Sequence, residues 1–200
     1  MSNGKAVRNR GQQTRQAILD KATEILIEQG YDALVLRDLA SQVGIKLGNL
    51  QYYFPTREDL LVELSLEFFH KQSLEIDELF RHEETPKARM QAAIDYMING
   101  WSQSDAHIYI LMYYLSAHNK KIWKGRQKIW LNFYEQMENL LKESSPDLTS
   151  AQRRKKVLLI TSLVDGLHMQ PGFAPGDVVK PSNRFLLNDV RDLALEIAGF

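Results

Sequence analysis

Apolar residues recur every three or four positions along most of the chain, which is the spacing of one face of an α-helix. Ile18, Ala22, Ile25 and Leu26 form the first such stripe, and they predict a helix over about residues 12–29. No stretch alternates apolar and polar residues as a half-buried strand does. We therefore expect an all-α protein of about nine helices, with an N-terminal three-helix helix-turn-helix head and a C-terminal helical body.

Prolines, glycines and capping residues interrupt the stripes and set the limits of the later helices. Thr56, Thr85 and Thr149 are the predicted N-caps, and Thr149 with Gln152 resembles a capping box. The later long helices are predicted over about residues 57–81, 86–102, 106–118, 120–143, 150–170 and 183–198. The helix at 106–118 is apolar on nearly every side, so we expect it to be buried. We assign residues 1–55 to the head with its basic arm and residues 56–200 to the helical body, with 56–81 as a connector helix.

Two short helices joined by a tight turn are predicted within the head. An apolar face from Leu36 to Val43 predicts the first, and Gly44 follows where a helix C-terminus prefers positive φ. Between Ile45 and Phe54 the second helix has one apolar side, while its other side carries lysine, asparagine, glutamine and tyrosine. This arrangement is typical of a helix-turn-helix, whose second helix enters the DNA major groove.

The composition narrows the class of protein. The chain has 200 residues, of which 44% are hydrophobic, so it is long and apolar enough to fold around a core. It contains no cysteine, which excludes a disulfide scaffold and thiolate metal sites. No signal peptide or membrane-spanning run is visible, so we expect a cytoplasmic protein without a membrane partner. Its formal net charge is zero, but Lys5, Arg8, Arg10 and Arg15 precede the first acid, which predicts a local phosphate contact.

Residues 12–61 resemble the DNA-binding head of the TetR family of bacterial transcription regulators. The positions that carry the resemblance are Gly30, Arg37, Asp38, Ala40, Gly44, Gly48, Leu50, Tyr53, Phe54 and the stretch 57–61. Further along, the stretch 164–167 is similar to part of the eighth helix of such proteins. The resemblance implies a homodimer that binds a palindromic operator, usually as a repressor, and that a small molecule releases from DNA.

Two positions depart from the family pattern. The family usually has threonine or serine at the start of each short helix, whereas this chain has Val35 and Lys46. Losing a hydroxyl cap typically costs about 0.5–2 kcal/mol of helix stability. Asp38 in the first turn partly offsets the helix dipole, and the Lys46 ammonium can reach a phosphate.

The predicted DNA-binding residues divide into those that contact bases and those that contact the backbone. Asn49 and Gln51 are suited to base edges and Tyr52 to a thymine methyl group or a sugar, while Gly48 permits close approach. Lys46 and the residues outside this helix are suited to phosphates or the adjacent minor groove. The complete predicted set is Arg8, Arg10, Thr14, Arg15, Lys46, Leu47, Gly48, Asn49, Gln51, Tyr52, Tyr53, Thr56 and Arg57.

The body is expected to hold an apolar or aromatic effector and the dimer interface. The resemblance implies a pocket between the fifth and eighth helices, for which the candidates are Tyr96, Met97, Trp101, Met112, Tyr113, Trp130, Phe133, Tyr134, Met137 and His168. Each of these is equally compatible with a place in the core. Apolar stripes of the last two helices predict a dimer interface of Val157, Ile160, Val164, Leu167, Leu186, Val190, Leu193, Ala194 and Ile197.

Two other classes of function remain open at this point. An enzyme is disfavoured, because the histidines lack metal-binding spacing and no nucleophile elbow or phosphate loop is present. We therefore expect no catalysis, no metal and no cofactor. A helical interaction or dimerisation protein with a weakened DNA-binding head is the alternative, since both short helices lack a hydroxyl cap.

Overall fold

A computed structural model of the chain describes residues 3–81, 85–100, 106–170, 172–173 and 179–200, with side chains described from residue 10 onward except at 100, 106, 107 and 109. The described residues contain no strand, which confirms the all-α prediction. Their α-helices are α1 (Asn3–Glu28), α2 (Leu36–Val43), α3 (Leu47–Tyr53), α4 (Arg57–Leu79), α5 (Pro86–Gly100), α6 (Ala106–His118), α7 (Lys120–Ser144), α8 (Ser150–His168) and α9 (Arg184–Ala198). Short 3-10 turns lie at Tyr31–Ala33 and Pro181–Asn183.

The first compact unit extends from Met1 to Phe68 and contains the head. Its core is formed by large apolar side chains of α1, α2 and α3 and the loops between them. Ile18, Leu34, Leu39, Leu50 and Phe54 are each no more than 1% exposed. Helix α1 begins well before the start predicted at residue 12, so the basic arm forms part of this helix.

Helix α4 begins in the first unit and continues into the second, which starts at Phe69. The first turns of α4 bury Leu60 and Leu61 against the head. Helical spacing predicts one apolar side that includes Leu60, Leu61, Leu64, Phe68, Leu74 and Leu79. Farther along the helix this prediction is wrong, because Leu74 is 54% exposed while Phe69 and Ile76 are buried. The boundary predicted after residue 55 therefore precedes the division between the compact units.

The start of α4 is capped by side chains. Thr56 Oγ1 accepts a hydrogen bond from the Asp59 amide at 3.1 Å, and an Asp59 carboxylate oxygen accepts from the Thr56 amide at 3.2 Å. The Thr56 hydroxyl also donates to that carboxylate at 2.7 Å. This reciprocal pair satisfies amides that the first turn of a helix leaves without partners, so the capping role predicted for Thr56 is confirmed.

The second unit packs α5, α7, α8 and α9 around an apolar core. Met90, Ile94, Met137, Ile160 and Val164 are completely buried there. The predicted capping residues are present, since the Thr85 hydroxyl accepts from the Ala88 amide and Thr149 forms a capping box with Gln152. The Asn119 side chain, which was not predicted as a cap, accepts from the first amides of α7.

The expectation that α6 is buried on every side is wrong. Ile108, Met112 and Ser116 are buried, but Tyr113 and Tyr114 are each 59% exposed. Among the described residues α6 packs chiefly against α7, and one neighbouring helix covers only one side of its partner. An apolar outer face therefore remains in contact with solvent in the single chain.

The exposed apolar face of α6 does not by itself indicate a segment that crosses a membrane. Within the described ranges, no helix is both long enough and apolar enough to cross a bilayer.

Candidate nucleic-acid interface

Gly44 makes the turn between α2 and α3. Its φ of 76° and ψ of 29° lie in the left-handed region, where a side chain would be strained. The Gly44 amide donates to the last carbonyls of α2, and the Ile45 amide donates to Ala40 O at 2.9 Å. These bonds end α2 in the manner of a Schellman motif and redirect the chain into α3.

Helix α3 is held to the head by one side only. Leu50 is fully buried at its centre and Phe54, directly after its end, is 1% exposed. The opposite side projects Lys46, Gly48, Asn49, Gln51 and Tyr52 into solvent. Because the buried residues fix the rotation of the helix, they also fix which side chains point outward.

The outward side chains are available for a ligand. Tyr52 is 81% exposed, and its ring contacts only the edge of the Tyr53 ring among the described aromatic residues. Lys46, Asn49 and Gln51 make no side-chain hydrogen bond or ion pair within the part of the chain that the structure describes. Their amide and ammonium groups are therefore satisfied by water and can be transferred to DNA without breaking internal bonds.

The starts of α2 and α3 lack side-chain caps in the structure, as the sequence predicts. Val35 and Lys46 occupy the N-cap positions of α2 and α3 in extended conformation, and neither side chain makes a capping hydrogen bond. The amides of Leu47 and Gly48 at the start of α3 therefore receive no side-chain cap, while the Asn49 amide donates to the Lys46 carbonyl at 2.9 Å. Free amides at a helix N-terminus favour a phosphate oxygen.

Two arginines predicted at the DNA backbone are engaged inside the head instead. The Arg57 guanidinium lies 3.9 Å from the centroid of the Tyr31 ring and donates to the Tyr31 carbonyl. Arg15 pairs with Glu63 and lies over the Phe54 ring. Charge and helical spacing suggest that both guanidinium groups are free. In the folded chain, however, each guanidinium lies next to an acceptor of the same chain and next to an aromatic ring. Their roles are to hold α1, α4 and the loop after α1 together.

The other residues predicted to contact DNA differ in their exposure and in their partners. Arg10 is exposed, whereas the Thr14 hydroxyl donates to the Arg10 carbonyl at 3.0 Å. Leu47 and Tyr53 are half-buried at the edge of α3, and the Tyr53 hydroxyl lies beside Gly11 of α1. The side chain of Arg8 lies outside the described residues.

The predicted effector residues are mostly internal. Met97, Met112, Phe133, Met137 and His168 are buried, and Tyr96, Trp130 and Tyr134 are half-buried. Tyr113 is a correction, because it lies on the exposed side of α6. Trp101 lies outside the described residues.

An aromatic cluster on α7 brings three of these residues together. The Trp130 ring is 6.4 Å from the Phe133 ring and 5.6 Å from the Tyr134 ring, measured between centroids. Phe80, at the end of α4, stacks edge-on against Phe133 at 5.9 Å. Sequence reasoning missed Phe80, although its apolar side chain follows directly after the last turn of α4.

The body also contains two ionisable groups with perturbed environments. Burial raises the pKa of Asp165 above its ordinary value, and the charge of Arg126 partly opposes this. Burial lowers the pKa of His168, although its Nε2 lies 3.1 Å from the Ile98 carbonyl and backbone bonds favour the charged form. Asp95 is not available to meet a cationic ligand, because it pairs with Arg191. No cluster of three potential metal ligands occurs in the described ranges.

Most of the predicted dimer residues cannot contact a second subunit. Those already buried within the body are Val157, Ile160, Val164, Leu167, Val190 and Ala194. Leu186 and Ile197 are half-buried, and only Leu193 is exposed. The stripe chosen from the sequence is therefore the inner face, since α8 carries two apolar stripes and the core covers the first.

A different face of α8 and α9 is free in the single chain. Along α8 its apolar members are Leu158, Leu159 and Met169, and along α9 they are Phe185 and Leu193. The sequence pattern places Leu159 in a second stripe but does not assign it to the interface. A helix with two apolar stripes can turn either stripe toward the core. The sequence periodicity therefore does not determine the rotation of α8 about its axis, which decides the face that is free.

Comparisons with known proteins agree on the head and on the fold. Residues 18–64 match the family model described as bacterial regulatory proteins, tetR family. Over 56 residues, 28% of each chain, the sequence is 38% identical to an uncharacterized HTH-type transcriptional regulator in the dhlA 5′ region of Xanthobacter autotrophicus. The chain thus spans little more than a quarter of the length of that relative.

Two solved structures are similar over nearly the whole chain. One is a TetR transcription regulator from Haloarcula marismortui ATCC 43049, with a TM-score of 0.71 and 16% identity over 94% of this chain and 97% of that one. The other is a putative transcriptional regulator from Saccharomonospora viridis in complex with choline, with a TM-score of 0.70 and 18% identity over 90% and 96%. At these identities the similarity demonstrates a shared fold.

Proposed function

This chain belongs to the TetR family of bacterial transcriptional regulators, and we propose that it is a ligand-responsive repressor that binds a palindromic operator as a homodimer. The observation that carries the DNA-binding part is the outer side of α3. Lys46, Asn49, Gln51 and Tyr52 are all exposed there, while Leu50 anchors the helix from behind. A rigid helix with free polar side chains and a free N-terminus is what the major groove accommodates.

Each outward residue has a distinct role in this proposal. Asn49 and Gln51 carry amides that can donate and accept at once, as an adenine edge requires. Tyr52 offers its ring to a thymine methyl group, and Gly48 keeps the backbone free of a side chain where DNA approaches. Lys46 and the amides behind it take a phosphate, which sets the register of the helix and carries no sequence information.

Replacing Lys46 with alanine is expected to weaken binding to every DNA sequence and to lower the slope of log K against log salt by about one unit for each bound subunit. The reason is that one phosphate contact, and the counterion released with it, is lost. Fluorescence anisotropy at several salt concentrations measures the slope for the operator and for unrelated DNA. Lys142→Ala, which removes an exposed cation from α7 in the body, is the matched control, and an unchanged slope for Lys46→Ala would reject the phosphate assignment.

The proposed dimer uses the free face of α8 and α9. Leu158, Leu159 and Met169 supply its apolar part on α8. Gly166 lies on the same side, where a Cβ added to it would meet no atom within 4 Å. Small residues on an open helix face allow a partner helix to approach closely. A two-fold axis through this face makes each subunit bury the same patch, as most homodimers do.

Charge also fits self-association through this face. Lys155 is exposed near the start of α8, and three acids, Asp189, Asp192 and Glu196, are exposed along α9. In a symmetric pair the α8 of one subunit can face the α9 of the other. Opposite charges then meet around an apolar centre, as in an interface with a polar rim.

Replacing Leu159 with aspartate is expected to weaken dimerisation about tenfold or more, because an unpaired carboxylate is costly to bury. Operator affinity should fall with it, since one head contacts too little DNA. Sedimentation equilibrium measures the dimer constant, and Leu131→Asp on α7 is the matched control, as both leucines are 48% exposed. A dimer constant that is equal for both variants would move the interface elsewhere.

We propose that the effector binds within the body between α5 and α8. Support comes from the Trp130, Phe133 and Tyr134 cluster together with Asp165 and His168 on the inner side of α8. An apolar, aromatic lining with a few polar groups is the usual composition of a small-molecule site. The Saccharomonospora viridis protein, which shares the fold, was solved with choline.

Release from DNA would follow from a change in α4. This helix is continuous from Arg57 to Leu79 and contributes to both compact units. The two heads of a dimer must reach successive major grooves, about 34–36 Å apart. A ligand that binds the body more tightly when the heads are at another spacing therefore shifts the population away from the DNA-bound form.

Footprinting of genomic fragments tests the proposal as a whole. We expect the protein to protect a palindromic DNA sequence from cleavage. This protection should be lost when the effector is added. The absence of caps at Val35 and Lys46 favours the alternative, a helical interaction protein with a weakened head. Weak binding that salt abolishes, without a protected palindrome, would support that alternative, and a specific complex that no metabolite or drug panel dissociates would count against the sensor.

A further inference from the structure

The outer surface of α6 and α7 exposes large apolar side chains that the proposed function does not use. We call it the outer α6–α7 face and define its apolar part as Ile110, Tyr113, Tyr114, Trp123 and Leu131, each between 47% and 59% exposed. Soluble monomers rarely leave such residues grouped in water. The proposed dimer face lies on other helices, so this surface would remain free in the dimer.

The two helices contribute to one continuous patch. The Arg126 guanidinium lies 3.7 Å from the centroid of the Tyr113 ring on α6 and 5.8 Å from that of the Trp123 ring on α7. Its Nη1 also donates to Ser116 Oγ at 3.1 Å. Because one cation contacts both rings, the aromatic residues of the two helices lie side by side.

Positive charge lies next to the patch along α7. Lys120, Lys121, Lys124 and Lys128 are exposed along the first half of α7. The sequence contains no aspartate or glutamate between residues 106 and 134. These lysines have no ion pair within the described ranges, so their charge is not neutralised locally.

We propose that the outer α6–α7 face binds the surface of an anionic lipid bilayer, with the helices lying along it. Tyrosine and tryptophan are favoured at the boundary between lipid headgroups and acyl chains, where one end of the ring is apolar and the other wet. Lysines next to them attract anionic headgroups. Ile110 and Leu131 supply aliphatic side chains that enter the acyl region.

Other occupants fit this composition less well. Lysine is depleted at protein–protein interfaces, where arginine is preferred, yet four of the five cations on this face are lysines and only Arg126 is an arginine. A second copy in a symmetric contact would bring the same lysines together, and their repulsion opposes it. The phosphate backbone of a nucleic acid would pair with the lysines but offers no apolar layer for Ile110 and Leu131. This surface revises the expectation of no membrane partner, which considered only spanning segments.

Vesicle flotation of the full-length protein tests the proposal. Vesicles of phosphatidylcholine and phosphatidylglycerol in equal parts should carry the protein to the top of the gradient, whereas pure phosphatidylcholine vesicles should not. The quadruple variant Lys120→Gln/Lys121→Gln/Lys124→Gln/Lys128→Gln should lose binding at least tenfold. Ile110→Ser/Tyr114→Ser should lose it as well, while both variants keep the helical circular dichroism and operator binding of the parent.

A matched control removes the same charge elsewhere. The variant Lys71→Gln/Lys87→Gln/Lys142→Gln/Lys180→Gln neutralises four exposed lysines and should bind vesicles within twofold of the parent. The proposal is overturned if the parent protein does not prefer anionic vesicles or if the control loses as much binding as the test variant. It is also overturned if Ile110→Ser/Tyr114→Ser changes the oligomeric state without affecting vesicle binding, which would identify a contact between copies. Loss of non-specific DNA binding alone in the first lysine variant would identify a nucleic-acid surface instead.

Discussion

Replacing Asn49 and Gln51 together with alanine is expected to reduce operator affinity by about 30-fold to 20,000-fold for each half-site, since each good base contact contributes about 1–3 kcal/mol of discrimination. Both side chains are exposed on the outer side of α3 and make no internal hydrogen bond in the described part of the chain. Their removal therefore costs the fold little. Affinity for unrelated DNA, which depends on phosphate contacts, should stay within about threefold.

Anisotropy titrations with the footprinted operator and with a scrambled duplex of equal length measure both affinities. Gln29→Ala/Gln91→Ala, which removes two exposed amides outside α3, serves as the matched control and should bind as the parent does. If the test variant loses operator and scrambled binding equally, the two amides contact the backbone and specificity resides elsewhere.

Replacing Phe54 with alanine is expected to destabilise the head by about 3–5 kcal/mol, the range found for large aromatic residues in cores. Phe54 is 1% exposed, and Arg15 lies over its ring at 5.4 Å. Its loss leaves a cavity behind α3 and removes the surface that holds Arg15 in its pair with Glu63. Since whole domains are stable by only about 5–15 kcal/mol, this loss removes a large share of the stability of the head.

Thermal unfolding followed by circular dichroism should show the head transition lowered by at least about 10 °C, because 1 kcal/mol shifts the midpoint of a 60–100-residue domain by about 4–8 °C. Tyr52→Ala is the control, as its side chain is 81% exposed on the same helix end. This control should unfold at the same temperature as the parent. It should nevertheless bind the operator more weakly than the parent does. A shift below about 3 °C for Phe54→Ala would mean that the ring is not a core element of the head.

Local patterns predicted local structure well. The turn at Gly44, the cap at Thr56 and the capping box of Thr149 with Gln152 follow from residue types within a few positions of one another. The outward side of α3 followed from the same reasoning, because Leu50 and Phe54 leave only one orientation for so short a helix. The start of α1 was placed too late because the basic arm has no apolar stripe to mark it as helical.

Contacts between residues that are far apart in the chain could not be predicted from the sequence pattern. Arg57 lies next to Tyr31 and Arg15 next to Glu63 only after the head has folded, and both cations then serve the fold. Along α4, Leu74 and Phe69 are similarly apolar, yet the neighbouring helices cover only Phe69. Residue type alone does not distinguish these cases.

The sequence by itself determined that the chain is helical, where its turns fall and that the head contains a helix-turn-helix. These properties depend on the spacing of apolar residues and on glycine and capping chemistry, which act over a few residues. Only the tertiary structure decided that the stripe of Val157 and Val164 faces the core, that Leu158 and Leu159 stay free, and that α6 keeps an apolar outer side. A helix with two apolar faces can bury either one, and the packing of its neighbours selects between them.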